Sequence, residues 1–268
     1  MSIDLADFKT LALRRDGPVL HITLNRPEMR NAMSLTMVRE LRVVLAQAEM
    51  RAEARVLVLR GAGGHFCAGA DLSDLASARM NLQSNPQALA QTNAAFGELC
   101  VAYAQTGLAV VAVVEGSCMG GGFGLACVAD VTLASDTALF RLPETSLGVV
   151  PAQIGPFLVE RLGYAEAKRL AVTGGRLDAQ AALQLRLVHG VHSGAALESA
   201  LTQVLGDILQ CAPGAVAATK ALIAKARLQA PAALVQEAAQ VFSAAALGVE
   251  GVEGTTAFLQ KRKPNWAS

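Results

Sequence analysis

The chain of 268 residues is short of charge: Asp, Glu, Lys and Arg make up 17% of it, against 53% hydrophobic residues. So apolar a composition predicts that part of the surface is covered by partner subunits. Long hydrophobic runs are missing too. Residues 108–114 are too few to span a bilayer and 123–131 are broken by Gly124, so no membrane segment is expected. No basic stretch leads into an apolar one at the N-terminus, which argues against a secretory leader and for a cytoplasmic protein. The 23 basic and 22 acidic side chains are interspersed. Apart from Lys261-Arg262-Lys263 there is no basic stripe, so no nucleic-acid partner is expected. The cysteines (Cys67, Cys100, Cys118, Cys127, Cys211) show no C-x-x-C pairing and read as reduced, core-filling thiols. The histidines (His21, His65, His189, His192) lack the H-E-x-x-H spacing, and no metal is expected. Residues 1–50 hold no G-x-G-x-x-G, so Tyr164 and Lys168 read as helix surface and not as a dehydrogenase pair. The absence of G-x-S-x-G leaves Ser117 and Cys118 without a nucleophile elbow.

What is present is an alternation of strands and helices. Residues 8–14 and 19–24 read as a hairpin around Asp16-Gly17-Pro18, followed by a polar loop over 25–32. Ser34 is placed to cap a helix running to about Ala54, with Met37, Leu41, Val44, Leu45 and Ala48 on one face. A buried strand follows at 56–59, and this succession marks an α/β protein. The polar stretch 73–91 is expected to be mobile, with a helix over about 86–106 and a strand at 109–114. A buried helix is expected at 123–129, and short strands at 131–134 and 138–140 around Ser135-Asp136. Helices then dominate, at about 151–162, 165–173, 178–186, 195–210, 213–228, 231–246 and 252–261, with one strand at 188–192. Those beyond 195 are alanine-rich, carry no evident catalytic side chain and suit packing against other subunits.

Gly120, Gly121 and Gly122 stand where a strand turns into a helix, and Gly69-Ala70-Asp71 forms a second glycine-rich turn. Tight turns before core helices would use the same residues. Two such turns can also aim a pair of backbone N–H groups at one point, which is how an oxyanion hole is built. Glu144, flanked by Leu142, Pro143 and Leu147, could hold a raised proton affinity in an apolar pocket, or be a solvated loop glutamate.

Four ordered motifs carry a family resemblance: I-T-L-N-R-P-E-M-R-N-A-M (22–33), V-L-V-L-R-G-A-G-G-H-F-C-A-G-A-D-L (56–72), V-E-G-S-C-M-G-G-G-F-G-L (114–125) and F-R-L-P-E-T-S-L-G-V-V-P (140–151). With A-F-L-Q-K-R-K-P-N-W (257–266), they resemble the crotonase (enoyl-CoA hydratase/isomerase) superfamily over nearly the whole chain. The resemblance implies an α/β fold, with a crotonase-like ββα spiral core and acyl-CoA site over 1–194. It also implies a helical trimerisation region over 195–268 and assembly as a homotrimer or dimer of trimers. An acyl-CoA thioester would be held by the N–H groups of Ala70 and Gly121, with Glu144 as acid and base. Met29, Arg30, Ala32, Ala68, Leu72, Gly120, Gly124 and Ala152 would line the substrate site, and Lys263 would reach the nucleotide end of CoA. Coenzyme A is part of the substrate, and no separate cofactor is implied.

Two departures bear on the activity. The family often has a lysine three residues after the oxyanion-hole alanine, where this chain has Ser73. Standard hydratases carry a first catalytic glutamate where this chain has Gly124. One carboxylate suits an isomerase that moves a proton from C2 to C4. The combination G-G-G-F-G-L with L-G-V-V-P-A-Q-I-G-P-F (147–157) is similar instead to the branch hydrating 3-substituted glutaconyl-CoA esters, isohexenylglutaconyl-CoA or methylglutaconyl-CoA, in terpene and leucine breakdown. Arg141 is then a candidate for the substrate's distal carboxylate. The alternative of another class is a non-catalytic protein of the same fold that binds acyl-CoA or RNA.

Overall fold

A computed structural model describes residues 8–51 and 53–267. Residue 52, inside the expected helix to Ala54, and residues 1–7, where no leader is expected, lie outside the described residues. Strands β1 (Leu11–Asp16) and β2 (Val19–Leu24) form the hairpin, Asp16 facing Val19 across the turn. Strands β3 (Val56–Gly61) and β4 (Ala109–Val114) continue the sheet in parallel. A second sheet of three strands begins with β5 (Ser117–Met119). The chain then returns to the first sheet with β6 (Val131–Ser135) and leaves it again for β7 (Leu139–Arg141) and β8 (Arg176–Asp178). Strand β9 (Gly190–His192) closes the six-stranded order β1-β2-β3-β4-β6-β9.

Every residue of β4 is buried, as expected for a parallel strand covered on both faces. Alternate side chains go to different cores. Leu57, Leu59, Val110 and Ala112 pack with α1 (Leu35–Arg51) and its Met37 and Leu41, whereas Val56, Val58, Val111 and Val113 meet Leu197 and Leu201 of a helix on the other side, Ala195–Gln210. Ser34 caps α1, its hydroxyl accepting the Met37 N–H at 3.2 Å.

Several expectations are corrected. The polar stretch 73–91 folds into α2 (Leu72–Met80), a 3-10 turn at Asn81–Gln83 and the start of α3 (Ala88–Gln105), where the sequence predicts only the last of these helices. Its polarity belongs to a solvent-facing helix tied down by side chains: Asp71 caps it, and Asp74 accepts the Leu35 N–H at 2.6 Å. The buried helix is α4 (Gly121–Val128). The two helices expected over 151–173 are α5 (Gly155–Thr173), broken at Gly163 with φ 75°. Part of the helix expected at 178–186 is β8, leaving α6 (Ala179–Gln184). The strands flanking Ser135-Asp136 join different sheets. Cys211 is exposed, unlike the other four cysteines. Tyr164 is exposed with the Lys168 ammonium 5.5 Å from its ring centre, a surface pair.

After α7 (Ala195–Gln210) come α8 (Pro213–Ala226), α9 (Pro231–Leu247) and α10 (Val249–Leu259); α8 and α9 have proline in their first turn, where a missing N–H costs nothing. They expose Phe242, Leu247, Val249, Phe258 and Leu259. Among the described residues no single helix is long and apolar enough to cross a membrane; α9 and α10 would pass such a test only as a pair, bent by 66°.

Phe140 of β7 is fully buried and meets Phe123 of α4 edge to face, ring centres 5.6 Å apart. Phe140→Ala is expected to cost about 3–5 kcal/mol, read as a lower denaturant midpoint, because the cavity would open between β7 and α4, whose hydrogen-bonded main chains resist collapsing into it.

Candidate active site

Strands β3 and β4 are parallel neighbours, so the loops that follow them emerge at one edge of the sheet. There the main chain of Cys67 pairs with β5: Cys67 N–H donates to the Ser117 carbonyl and Met119 N–H to the Cys67 carbonyl, both at 2.9 Å. On its other flank the same segment pairs with the loop 25–33, through Ala68 N–H to Arg30 O (2.9 Å) and Met33 N–H to Gly69 O (2.7 Å). Beyond this pairing the chain turns at Gly69 (φ 97°) and at Gly120 (φ 48°), conformations that side-chain-bearing residues rarely adopt. An added Cβ at Gly120 would also lie 2.7 Å from Glu144 Oε1.

Next in chain stand Ala70 and Gly121. The Ala70 N–H donates no hydrogen bond among the described residues, and Gly121 opens α4, whose first N–H groups have no helical acceptor. The positive end of the helix dipole points the same way. At the other end of α4 the Arg161 guanidinium donates to the carbonyls of Cys127 (2.9 Å) and Ala129.

Side chains brace these turns. Asn31, fully buried, donates its amide to Ala62 O (2.9 Å) and His65 O (2.6 Å) and accepts the Arg26 N–H (2.9 Å). His65 Nδ1 accepts the Ser117 N–H at 3.1 Å. Asp71 is buried and pairs with Arg26 at 2.8 Å. Burial pushes its carboxyl up, but hydrogen bonds from Ser73 and Arg26 outweigh that and hold it below the ordinary value. Ser73, standing where the family often has lysine, donates its hydroxyl to Asp71 at 2.7 Å.

Glu144 follows β7 at the start of a 3-10 turn (Glu144–Leu147). Its Oε2 is buried without a hydrogen-bond partner, and burial raises its proton affinity. Arg141, the last residue of β7, accepts the Gly120 N–H on its carbonyl (3.0 Å); its Nε is buried and unpartnered, and it has no ion pair among the described residues. Gly124, one turn after Gly121 on α4, has no room for a side chain: an added Cβ would overlap Ile154 Cγ2 and touch Phe96 Cζ at 3.6 Å. The same ring lies 3.2 Å from where a Cβ on Gly121 would stand.

The structure thus brings Ala70, Gly120, Gly121, Gly124, Arg141 and Glu144 together, with Arg30 and Ala68 joined to the first turn and Met29, Ala32 and Leu72 on the adjoining loops. Ala152 is exposed, two residues before Ile154. Lys263 is not brought in: the Trp266 carbonyl accepts from Arg55 (2.8 Å), at the start of β3, so this segment lies at the end of the sheet opposite the turns. Sequence reasoning missed Phe96 and Ile154. In the letters Phe96 is one apolar residue of a helix face with Leu99, Cys100 and Tyr103, and nothing marks its ring as a wall of the site.

A family profile described as enoyl-CoA hydratase/isomerase matches residues 14–268. Among curated relatives, 2,3-dehydroadipyl-CoA hydratase of Escherichia coli K12 is 33% identical, covering 96% of this chain and 98% of its own. The peroxisomal Delta(3,5)-Delta(2,4)-dienoyl-CoA isomerase of Arabidopsis thaliana is 31% identical, with 98% and 99% covered. Among solved structures, Pseudomonas aeruginosa AtuE is 51% identical with a TM-score of 0.93, covering 97% and 100%. An enoyl-CoA hydratase/isomerase from Marinobacter aquaeolei is 48% identical with a TM-score of 0.92 and the same coverage.

Because the folded state binds the Glu144 proton more tightly than the unfolded chain does, the ionised carboxylate costs stability above its folded pKa, and the cost fades as pH falls below the ordinary value of 4.5. Glu144→Gln is therefore expected to raise the melting temperature at neutral pH and to leave it unchanged near pH 4. Equal effects at both pH values would show that burial does not raise the proton affinity of this carboxyl.

Proposed function

The chain belongs to the enoyl-CoA hydratase/isomerase family, and we propose that within it this protein is a cytoplasmic hydratase of 3-substituted glutaconyl-CoA esters, the isohexenylglutaconyl-CoA or 3-methylglutaconyl-CoA class, in terpene or leucine breakdown. The observation that carries the reaction is a half-buried carboxylate, Glu144, without an ion partner among the described residues, beside two turns whose Ala70 and Gly121 N–H groups donate to no acceptor among them. The thioester oxygen accepts from Ala70 and Gly121, which draws electrons from C3 and stabilises an enolate by several kcal/mol. Glu144 takes a proton from water as the water oxygen bonds to C3; the enolate electrons then return to C2, which takes the proton back from Glu144. One water is added in all, and one carboxylate serves as base and then acid.

For the substrate, the support is Arg141, a guanidinium without a carboxylate partner among the described residues, three residues from Glu144. A relative named for 2,3-dehydroadipyl-CoA, the thioester of an unsaturated dicarboxylic acid, fits the same chemistry. The second reading is an isomerase, favoured by the single carboxylate and by the dienoyl-CoA isomerase relative. The exposed apolar side chains of α8, α9 and α10 support a homotrimer or dimer of trimers built through 195–268. In such an assembly Lys263 would serve the nucleotide end of CoA in a neighbouring subunit's site.

Proton NMR and mass spectrometry of the purified protein with 3-methylglutaconyl-CoA, crotonyl-CoA and a 3-enoyl-CoA separate these readings. The expected result is gain of one water on the glutaconyl ester, lowered about 10²–10⁴-fold in rate by Glu144→Ala. Double-bond migration in the 3-enoyl ester without a mass change would make it an isomerase. Arg141→Ala is expected to raise KM for the glutaconyl ester and leave that for crotonyl-CoA unchanged; an unchanged glutaconyl KM would end the role given to Arg141.

A further inference from the structure

Gly121 and Gly124 lie on one face of α4, and neither has a Cβ, so the side chains opposite rest against bare backbone. What rests there is apolar. Phe96, half-buried on α3, reaches toward both glycines with its ring edge, and Ile154, 3% exposed and just before α5, fills the place a side chain at 124 would take. Three separate elements therefore meet at this spot. None of the groups presented there, a phenyl edge, a sec-butyl methyl or glycine backbone, is an acid, a base or a hydroxyl. The ring edge stands 3.2 Å from the Cβ position of Gly121, the glycine whose N–H is assigned above to the thioester oxygen.

We propose that Phe96 and Ile154 are specificity-determining residues: their apolar wall takes an alkyl branch on the carbon β to the thioester carbonyl, and holds neither water nor a second acid–base group. The inference rests on the 3-substituted acyl-CoA reading of the site and adds the residues that select for the 3-substituent. An unbranched ester leaves a gap against the wall, which an apolar surface cannot fill with a well-bonded water. A branched ester fills the gap and gains contact along the ring. The attacking water is thereby confined to the side of Glu144.

The test compares two esters that differ by one methyl group, glutaconyl-CoA and 3-methylglutaconyl-CoA. The unmodified protein is expected to favour the methylated ester in kcat/KM. Phe96→Ala, at a half-buried position that spares the inner core, is expected to lower that preference about tenfold or more, the size of effect one methyl group has in an apolar pocket. Phe96→Leu, which keeps an apolar surface, should preserve it to within about threefold, and Ile154→Thr should lower it again by placing a hydroxyl in the wall. Loss of activity on both esters by one common factor, with the preference intact, would reduce Phe96 to a structural role and overturn the inference. Turnover of neither ester would count instead against the hydratase reading, and the wall would be judged by the ratio of the two Kd values from titration calorimetry, with equal values overturning it.

Discussion

Two main-chain hydrogen bonds between Cys67 and β5 join the loop after β3 to the loop after β4, and through that pairing Ala70 and Gly121 come to stand beside each other. Because β3 and β4 are adjacent and parallel, both loops start from the same edge of the sheet, and the pairing only has to align them. The donors so placed are backbone groups, and no substitution other than to proline deletes them. Their spacing is what substitution can spoil, and it is guarded by buried Asn31 and Asp71 with half-buried His65 and Arg26, polar groups that tie separate segments together.

Burial pushes two carboxylates in this small region upward in pKa, and their partners make the outcomes opposite. Asp71 is the more deeply buried by surface exposure, yet Arg26 and Ser73 keep it charged, and its work is to hold a loop. Glu144 has no such partners among the described residues, so burial makes its charge costly and raises its proton affinity. Environment, not residue type, separates the brace from the candidate acid–base group. The short helix α4 adds to the contrast: it sits in the core with its N-terminus at the turns, while Arg161 occupies the carbonyls of its far end.

Much of this could be read in the letters. The parallel strands are β-branched runs bounded by glycine, and the turns at Gly69 and Gly120 announce themselves because few other residues tolerate those backbone angles. Glu144 was legible as a carboxylate between apolar neighbours. Less legible was α2, whose polar sequence lacks the apolar periodicity that marks a helix and which is held by Asp71 and Asp74 instead. Strand β8 is only three residues long and depends on a neighbour distant in sequence. Phe96 and Ile154 were invisible for a similar reason, since their meeting over Gly124 is made by three elements that no local pattern connects. Lys263 is carried by the chain path to the opposite end of the sheet of its own subunit, a placement that the motif alone does not give.

The overlap at Gly124 also constrains how this site could have changed over time. With Ile154 already in place, any side chain arriving at 124 meets an occupied volume, so that change is penalised before it can confer any new chemistry. Shrinking Ile154 first opens a void in a well-packed wall, which is penalised too. Each single step is destabilising even where the double change packs well. A side chain at 124 is thus resisted by the order in which its neighbours would have to move, a constraint set by packing and independent of the role proposed for Glu144.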